Sequence, residues 1–201
     1  MKKLLLTGFE PFLDHGSNPT EYIVRTLDGR VVGSFQITGR VLPVDFERSA
    51  DLLLNYVEEV QPDTVISLGL AAGRAKITPE RVAINVNDGV RDNSGNKPVD
   101  APINQNGPDA YFSTLPIRNM VNALLENGIP AEISNTAGTY LCNNVMYSML
   151  HSAKERGTNI QAGFIHVPAS FELTMQNPKI PGWPLETIQD AIELCIKTLD
   201  E

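Results

Sequence analysis

A chain of 201 residues can fill one domain, and 42% apolar with 20% charged residues is the balance of a globular protein rather than a disordered or fibrous one. The formal net charge is −8 and the 16 basic residues are scattered, which speaks against a polyanion-binding face and so against nucleic acid or an anionic membrane as partner. Two cysteines are too few for a disulfide framework and no apolar run approaches a bilayer span; the run at residues 4–6 is too short for a signal peptide, so a cytoplasmic address is expected.

Taken in order, residues 2–9 (KKLLLTGF) read as a buried strand that empties into a loop rich in Gly, Pro and Asn. Asn18 as N-cap and Pro19 in the first turn predict a helix over 19–27. Residues 35–42 alternate as a strand. Over 46–60, Ala50, Leu53, Leu54, Val57 and Val60 keep helical spacing until Pro62 closes the helix. TVISLGL (64–70) is a short continuous apolar run, as a buried parallel strand would be, and 82–86 is a further strand. Residues 87–116 carry Gly, Pro, Asn and Asp at high density, an irregular stretch of the kind that is functional or mobile. A helix over 117–126 stops at Asn127-Gly128, and 131–134 is strand-like. A longer helix runs from about Tyr140 to Lys154, and 163–168 is a strand ended by proline. The last helix, over about 185–199, puts Ile188, Ile192, Cys195, Ile196 and Leu199 on one face. Between these two, residues 172–184 hold exposed-looking Met175, Ile180 and Trp183, suited to contacts with another chain, to a mobile flap, or to a tail over the core. Strands alternating with helices, undivided by linker composition, predict the α/β class: one three-layer α/β/α domain over 1–201 with a mostly parallel central sheet.

Few residues offer chemistry. Cys195 lies on an apolar helix stripe and reads as a buried, inert thiol. Cys142 falls in the first turn of a helix after a predicted strand. There the unpaired N–H groups and the helix dipole favour a thiolate, and the N–H groups can serve an oxyanion. Position alone also leaves open a small core residue. As a base for such a thiol, His15 sits in a polar loop and is expected to face solvent. His151, nine residues further along the helix, lies about 13 Å away along its axis. His166, between Ile165 and Val167 at a strand end, can lie beside the strand that precedes Cys142; a satisfied histidine at a strand end is the alternative. Spacing does not choose an acid among 24 carboxylates. Glu80 directly precedes a strand, with a surface ion pair to Arg81 or another base as the ordinary alternative. No CxxC, HxxxH or HxxE spacing suggests a metal, and no glycine-rich phosphate loop suggests a nucleotide, so no cofactor is expected.

The strings GFEPF with a following NPT, GRAKITPERVAINVND, GPDAYFSTLP, SNTAGTYLCN and GFIHVP, in that order over residues 7–168, resemble the pyrrolidone-carboxylate peptidase family, also called pyroglutamyl-peptidase I. The resemblance implies a cytosolic cysteine peptidase that removes an N-terminal pyroglutamyl residue from peptides, with an α/β/α fold and commonly a homotetramer. The family's triad falls on Glu80, Cys142 and His166, which selects the carboxylate. Aromatic residues of the first loop line the family's pocket, pointing to Phe9 and Phe12, for which core packing is the alternative. Leu141 and Arg91 complete the substrate-binding set that the resemblance implies. Two departures stand out. Leu70 occupies a position where many members carry Gln, which removes a side-chain amide from the pocket. Residues 88–93 are one shorter than the family's usual DARIPDN, so the family arginine corresponds to Arg91 only after a shift.

Overall fold

The structure, a computed structural model, describes residues 1–12 and 16–200; His15 lies outside them. The first strand, β1 (Lys2–Phe9), is apolar on both faces because both are covered: Leu4 and Leu6 enter one helical layer and Leu5 the other. Helix α1 (Pro19–Leu27) starts as its sequence demands, with Asn18 Oδ1 accepting the Thr20 N–H at 3.0 Å. The short β2 (Val31–Val32) turns back into β3 (Phe35–Leu42), and α2 (Ser49–Val60) leads to β4 (Thr64–Leu70). Then come β5 (Thr78–Pro79), β6 (Val82–Ile84), β7 (Ala110–Phe112), α3 (Ile117–Glu126), α4 (Leu141–Glu155) and β8 (Gln161–Val167). The chain ends through β9 (Ala169–Ser170), α5 (Phe171–Gln176), β10 (Gly182–Trp183), α6 (Leu185–Lys197) and a 3-10 turn over Thr198–Asp200.

The central sheet has the order β2-β3-β1-β4-β8-β5, in which β3, β1, β4 and β8 are parallel and the two short edge strands antiparallel. Helices α1, α3 and α6 cover one face, α2 and α4 the other, giving a single α/β domain in three layers. From β1 the chain steps to β3 on one side, then crosses back to β4 on the other. A crevice therefore opens at the carboxyl ends of β1 and β4, the place where open α/β sheets bind ligands.

Three boundaries differ from the sequence reading, each for a side-chain or backbone reason. Helix α2 begins at Ser49 instead of 46; residues 46–48 form a turn whose N–H groups are taken by side chains, those of Glu47 and Arg48 by Asp45 Oδ1 (2.9 and 3.1 Å) and that of Phe46 by Asp92 Oδ2 (2.9 Å). Residues 131–134 run parallel beside β5 but form no strand. Backbone bonds join Ile77, Pro79 and Arg81 to this segment, yet Pro79 has no N–H to donate, so the ladder breaks into two isolated bridges, Ile77↔Ala131 and Glu80↔Ser134. The strand expected over 82–86 stops at Ile84, beyond which the Asn143 side chain holds the Val86 carbonyl at 2.9 Å. Of the three apolar residues singled out in 172–184, Met175 is exposed, whereas Ile180 and Trp183 are half-buried and pack inward, as a tail over the core.

Candidate active site

Alternation along β8 decides what its carboxyl end presents. Ile165 and Val167 point into the layer of α3 and α6, so His166 points with Phe164 to the opposite face, the one α4 covers. Cys142 is the second residue of α4, where the side chain is directed back toward the helix start and the sheet edge. Beneath it lies Gly69, the register partner of His166 in β4. A Cβ at Gly69 would stand 2.9 Å from Cys142 Sγ and 2.7 Å from the Phe164 ring, so only glycine lets the sulfur settle against the sheet. Cys142 stands close enough to His166 to act on the imidazole by charge and hydrogen bonding.

Glu80 reaches the same point from the edge of the sheet. The antiparallel pairing of Thr78 with His166 and Pro79 with Ile165 carries the chain across β8, and the Glu80 N–H donates to Phe164 O at 2.9 Å. Its side chain is wholly buried, with Oε1 2.7 Å from His166 Nδ1 and 2.7 Å from Arg74 Nη1. The surface pairing with Arg81 does not occur: Arg81 Nε donates to Asn135 Oδ1. A carboxylate on Nδ1 requires that nitrogen to carry the proton, which leaves Nε2 to face Cys142. Burial opposes the imidazolium, but the charge and hydrogen bond of Cys142, with those of Glu80, outweigh it and push His166 up to about 9. His166 therefore stays protonated through neutral pH. The N-cap residue of α4, Tyr140, makes no side-chain capping bond to the helix start, so among the described residues the first-turn N–H groups are left uncapped beside the sulfur.

Next to Cys142 an apolar cleft is lined by Phe9, Phe12, Val44, Leu70, Tyr140 and Leu141, with Asn18 at its edge. Phe9, Leu70 and, just beyond β3, Val44 come from the carboxyl ends of three adjacent parallel strands. Tyr140 stands edge-on to Phe46 (centroids 5.1 Å, 88°) and near Phe12 (6.2 Å), and its hydroxyl donates to the Arg91 carbonyl at 3.2 Å. Burial, then the charges of Asp92 and Cys142, push that hydroxyl up to about 12, so it remains a donor. Arg91 itself is exposed and outside the cleft lining, its guanidinium donating to Gly95 O at 2.8 Å. The 88–96 loop is folded by Asp92, whose carboxylate takes the N–H groups of Phe46, Ser94 and Asn96.

The remaining candidates lie elsewhere. His151 is held by Tyr111 Oη and Asn104 Nδ2, both at 2.9 Å, and stacks on Tyr147. Cys195 is buried in the helical layer, which pushes its thiol up to about 12. Among the described residues no cluster of His, Cys, Asp or Glu is placed to hold a metal. Sequence reasoning missed Tyr140, Val44, Gly69 and Arg74. For the first three a signal exists: each adjoins the cysteine or a strand's carboxyl end. Arg74 carries no local signal.

The sequence profile of the family described as Pyroglutamyl peptidase matches residues 2–201. The chain is 55% identical over 200 residues to a pyrrolidone-carboxylate peptidase of Oceanobacillus iheyensis, covering 100% of both chains. It is 54% identical over 197 residues to the protein of the same name from Halalkalibacterium halodurans, covering 98% of each. A solved pyrrolidone carboxyl peptidase from Thermococcus litoralis superimposes with a TM-score of 0.96 at 45% identity, over 99% of this chain and 93% of that one.

Proposed function

The chain belongs to the pyroglutamyl peptidase family, and on that premise we propose that Cys142 is its nucleophile, His166 its acid and base, and Glu80 the group that orients His166. It is a cysteine-type hydrolase, an omega-peptidase that removes N-terminal pyroglutamate through a catalytic triad. The observation that carries the residue assignment is the unbroken line from Glu80 Oε1 to His166 Nδ1 at 2.7 Å and on to Cys142 at an uncapped helix start.

The chemistry follows from that line. Cys142 Sγ attacks the carbonyl carbon that joins the lactam ring to the next residue, forming a C–S bond and moving the carbonyl electron pair onto oxygen. The uncapped N–H groups at the start of α4, that of Cys142 among them, receive the oxyanion. As the C–N bond breaks, His166 Nε2 passes its proton to the leaving amine, and a thioester remains. His166 then takes a proton from water, whose oxygen attacks the thioester. Collapse releases pyroglutamate and returns the sulfur to its starting state beside protonated His166. Glu80 keeps Nδ1 protonated throughout.

Phe9, Phe12 and Leu141 form walls for the flat, uncharged ring, and Arg91 acts on the pocket through its carbonyl, which anchors Tyr140. Such walls favour a lactam over a free, charged N-terminus, whose amine would be desolvated without a partner. The substrates are peptides with N-terminal pyroglutamate. The whole chain, residues 1–201, works as one peptidase domain in the cytoplasm, a reading supported by two free cysteines. A net charge of −8 supports the absence of nucleic-acid partners, and among the described residues no helix is long and apolar enough to cross a membrane. A homotetramer is the assembly implied by the family resemblance; Ile84 and Phe112, exposed on the β6–β7 ribbon, support self-association.

Release of the fluorophore from a pyroglutamyl coumarin amide tests the reading. Turnover is expected from freshly reduced protein, with loss in Cys142→Ala and after thiol alkylation, and with prolyl and glutaminyl amides left intact. Absence of turnover by reduced wild type overturns it.

A further inference from the structure

An orienting carboxylate must itself be held, and the backbone of Glu80 does only part of this. Its N–H donates to Phe164 O, and the next N–H, that of Arg81, donates to Ser134 O at 2.8 Å. These bonds set where the side chain starts, not where its carboxylate ends. That is decided at Oε1, which binds both His166 Nδ1 and Arg74 Nη1 at 2.7 Å, while Oε2 is buried with no donor among the described residues. The guanidinium is shared further: Nη1 also donates to Thr78 Oγ1 at 2.8 Å, and Nη2 to Thr136 O at 3.2 Å. Thr136 belongs to the turn that leads into α4 and Cys142. One cation thus joins the loop after β4, the buried carboxylate and the segment presenting the nucleophile.

We propose that Arg74 is a positioning residue for the peptidase reaction: it pins the Glu80 carboxylate onto His166 and ties that carboxylate to the turn that presents Cys142. The inference rests on the peptidase reading above. An exposed ion pair contributes little, but here one partner is wholly buried and the other only 32% exposed. A buried carboxylate is tolerated where several donors meet it, and removing one leaves the charge undercompensated. Without Arg74, His166 is the one partner left to the carboxylate among the described residues, and the contact that fixes its rotamer is gone. The proton on Nδ1 is then no longer enforced, and Nε2 no longer faces Cys142 in every molecule. Lysine keeps the charge but lacks the planar fork that spans Glu80 and Thr136.

The test compares wild type with Arg74→Met in the pyroglutamyl coumarin assay and in alkylation by iodoacetamide across pH, with Tm measured alongside. Alkylation needs no substrate, so wild type that alkylates but does not turn over defeats the peptidase reading and leaves the positioning measurement intact. Cys195 is buried, so the alkylation rate reports Cys142. His166 is faced by Cys142 and Glu80, with Arg74 behind Glu80, so a displaced carboxylate is read directly in its titration. We expect kcat to fall roughly 10- to 100-fold with KM within about twofold, the scale of one charged hydrogen bond. The alkaline limbs of kcat/KM and of alkylation should move together to lower pH. Wild-type kcat with both limbs unmoved, whether or not Tm falls, overturns the proposal. Should Arg74→Met not fold, Arg74→Lys is read by the same criteria: a lowered kcat with shifted limbs supports it, and wild-type values overturn it.

Discussion

Adding one methyl group at Gly69 tests whether the sulfur sits where the chemistry needs it. Gly69 has no left-handed φ, so alanine meets no backbone penalty and any effect comes from contact alone. Its Cβ would stand 2.9 Å from Cys142 Sγ and 2.7 Å from Phe164 ring carbons. Non-bonded heavy atoms settle near 3.5–4.0 Å, so sulfur or ring must retreat by roughly 0.6–1.3 Å. Phe164 is fully buried and packs against His166 with centroids 4.9 Å apart, so movement of the ring also disturbs the base. Overpacking of this kind costs about 1–3 kcal/mol, and for a chain of this size lowers Tm by roughly 2–12 °C. The functional loss should be larger than the structural one: a misplacement of about 1 Å costs on the order of 100-fold in rate. Steady-state turnover of the pyroglutamyl amide at a temperature where Gly69→Ala is fully folded measures it, with the iodoacetamide rate as a check on the thiol itself. A kcat within twofold of wild type would refute the claim that the Gly69 gap positions Cys142.

Two further outcomes follow from the same contacts. His166 must be protonated to serve the leaving amine, so kcat/KM should fall as pH rises through about 9, the value to which burial, opposed by Cys142 and then Glu80, brings it. Removing the Glu80 charge in Glu80→Gln takes away one of the raising influences, so this limb must move to lower pH; a limb that stays or rises contradicts the assignment. Asn143 is fully buried and bonds Ile84 N, Ile84 O and Val86 O at 2.8–2.9 Å; Ile84 O also accepts the Val86 N–H, so Asn143→Ala orphans two backbone groups, the Ile84 N–H and the Val86 carbonyl. A loss of about 2–4 kcal/mol is expected in urea unfolding, and a change under 1 kcal/mol would count against it.

How far the site can be read from the chain depends on the range of the interactions that build it. The four long parallel strands, the helix starts at Asn18 and near Tyr140, and the apolar stripe of Cys195 all rest on neighbours a few residues away, and they emerge close to where the pattern puts them. Where a distant side chain intervenes, the pattern misleads. Asp92 lies 46 residues from Phe46 and still holds the turn before α2, and Pro79 breaks a ladder whose other side is more than 50 residues further on.

Glu80 marks the limit most clearly. It lies 86 residues from His166, and no periodicity in ITPERVAINVN distinguishes it from other carboxylates. What selects it physically is the antiparallel return of β5 across the end of a parallel sheet, a connection that turns the residue after the edge strand inward against β8. An exposed Glu needs no special partners, whereas an inward one needs donors from both sides, here His166 from the sheet and Arg74 from the loop after β4. The same reasoning explains Arg91, whose side chain answers to Gly95 and to the fold Asp92 imposes on its loop. Sequence proximity to the pocket says little about a loop arginine. A carboxylate forced into the interior, by contrast, commits the residues around it, and that commitment is what makes Arg74 and the turn at Thr136 part of one device with Cys142.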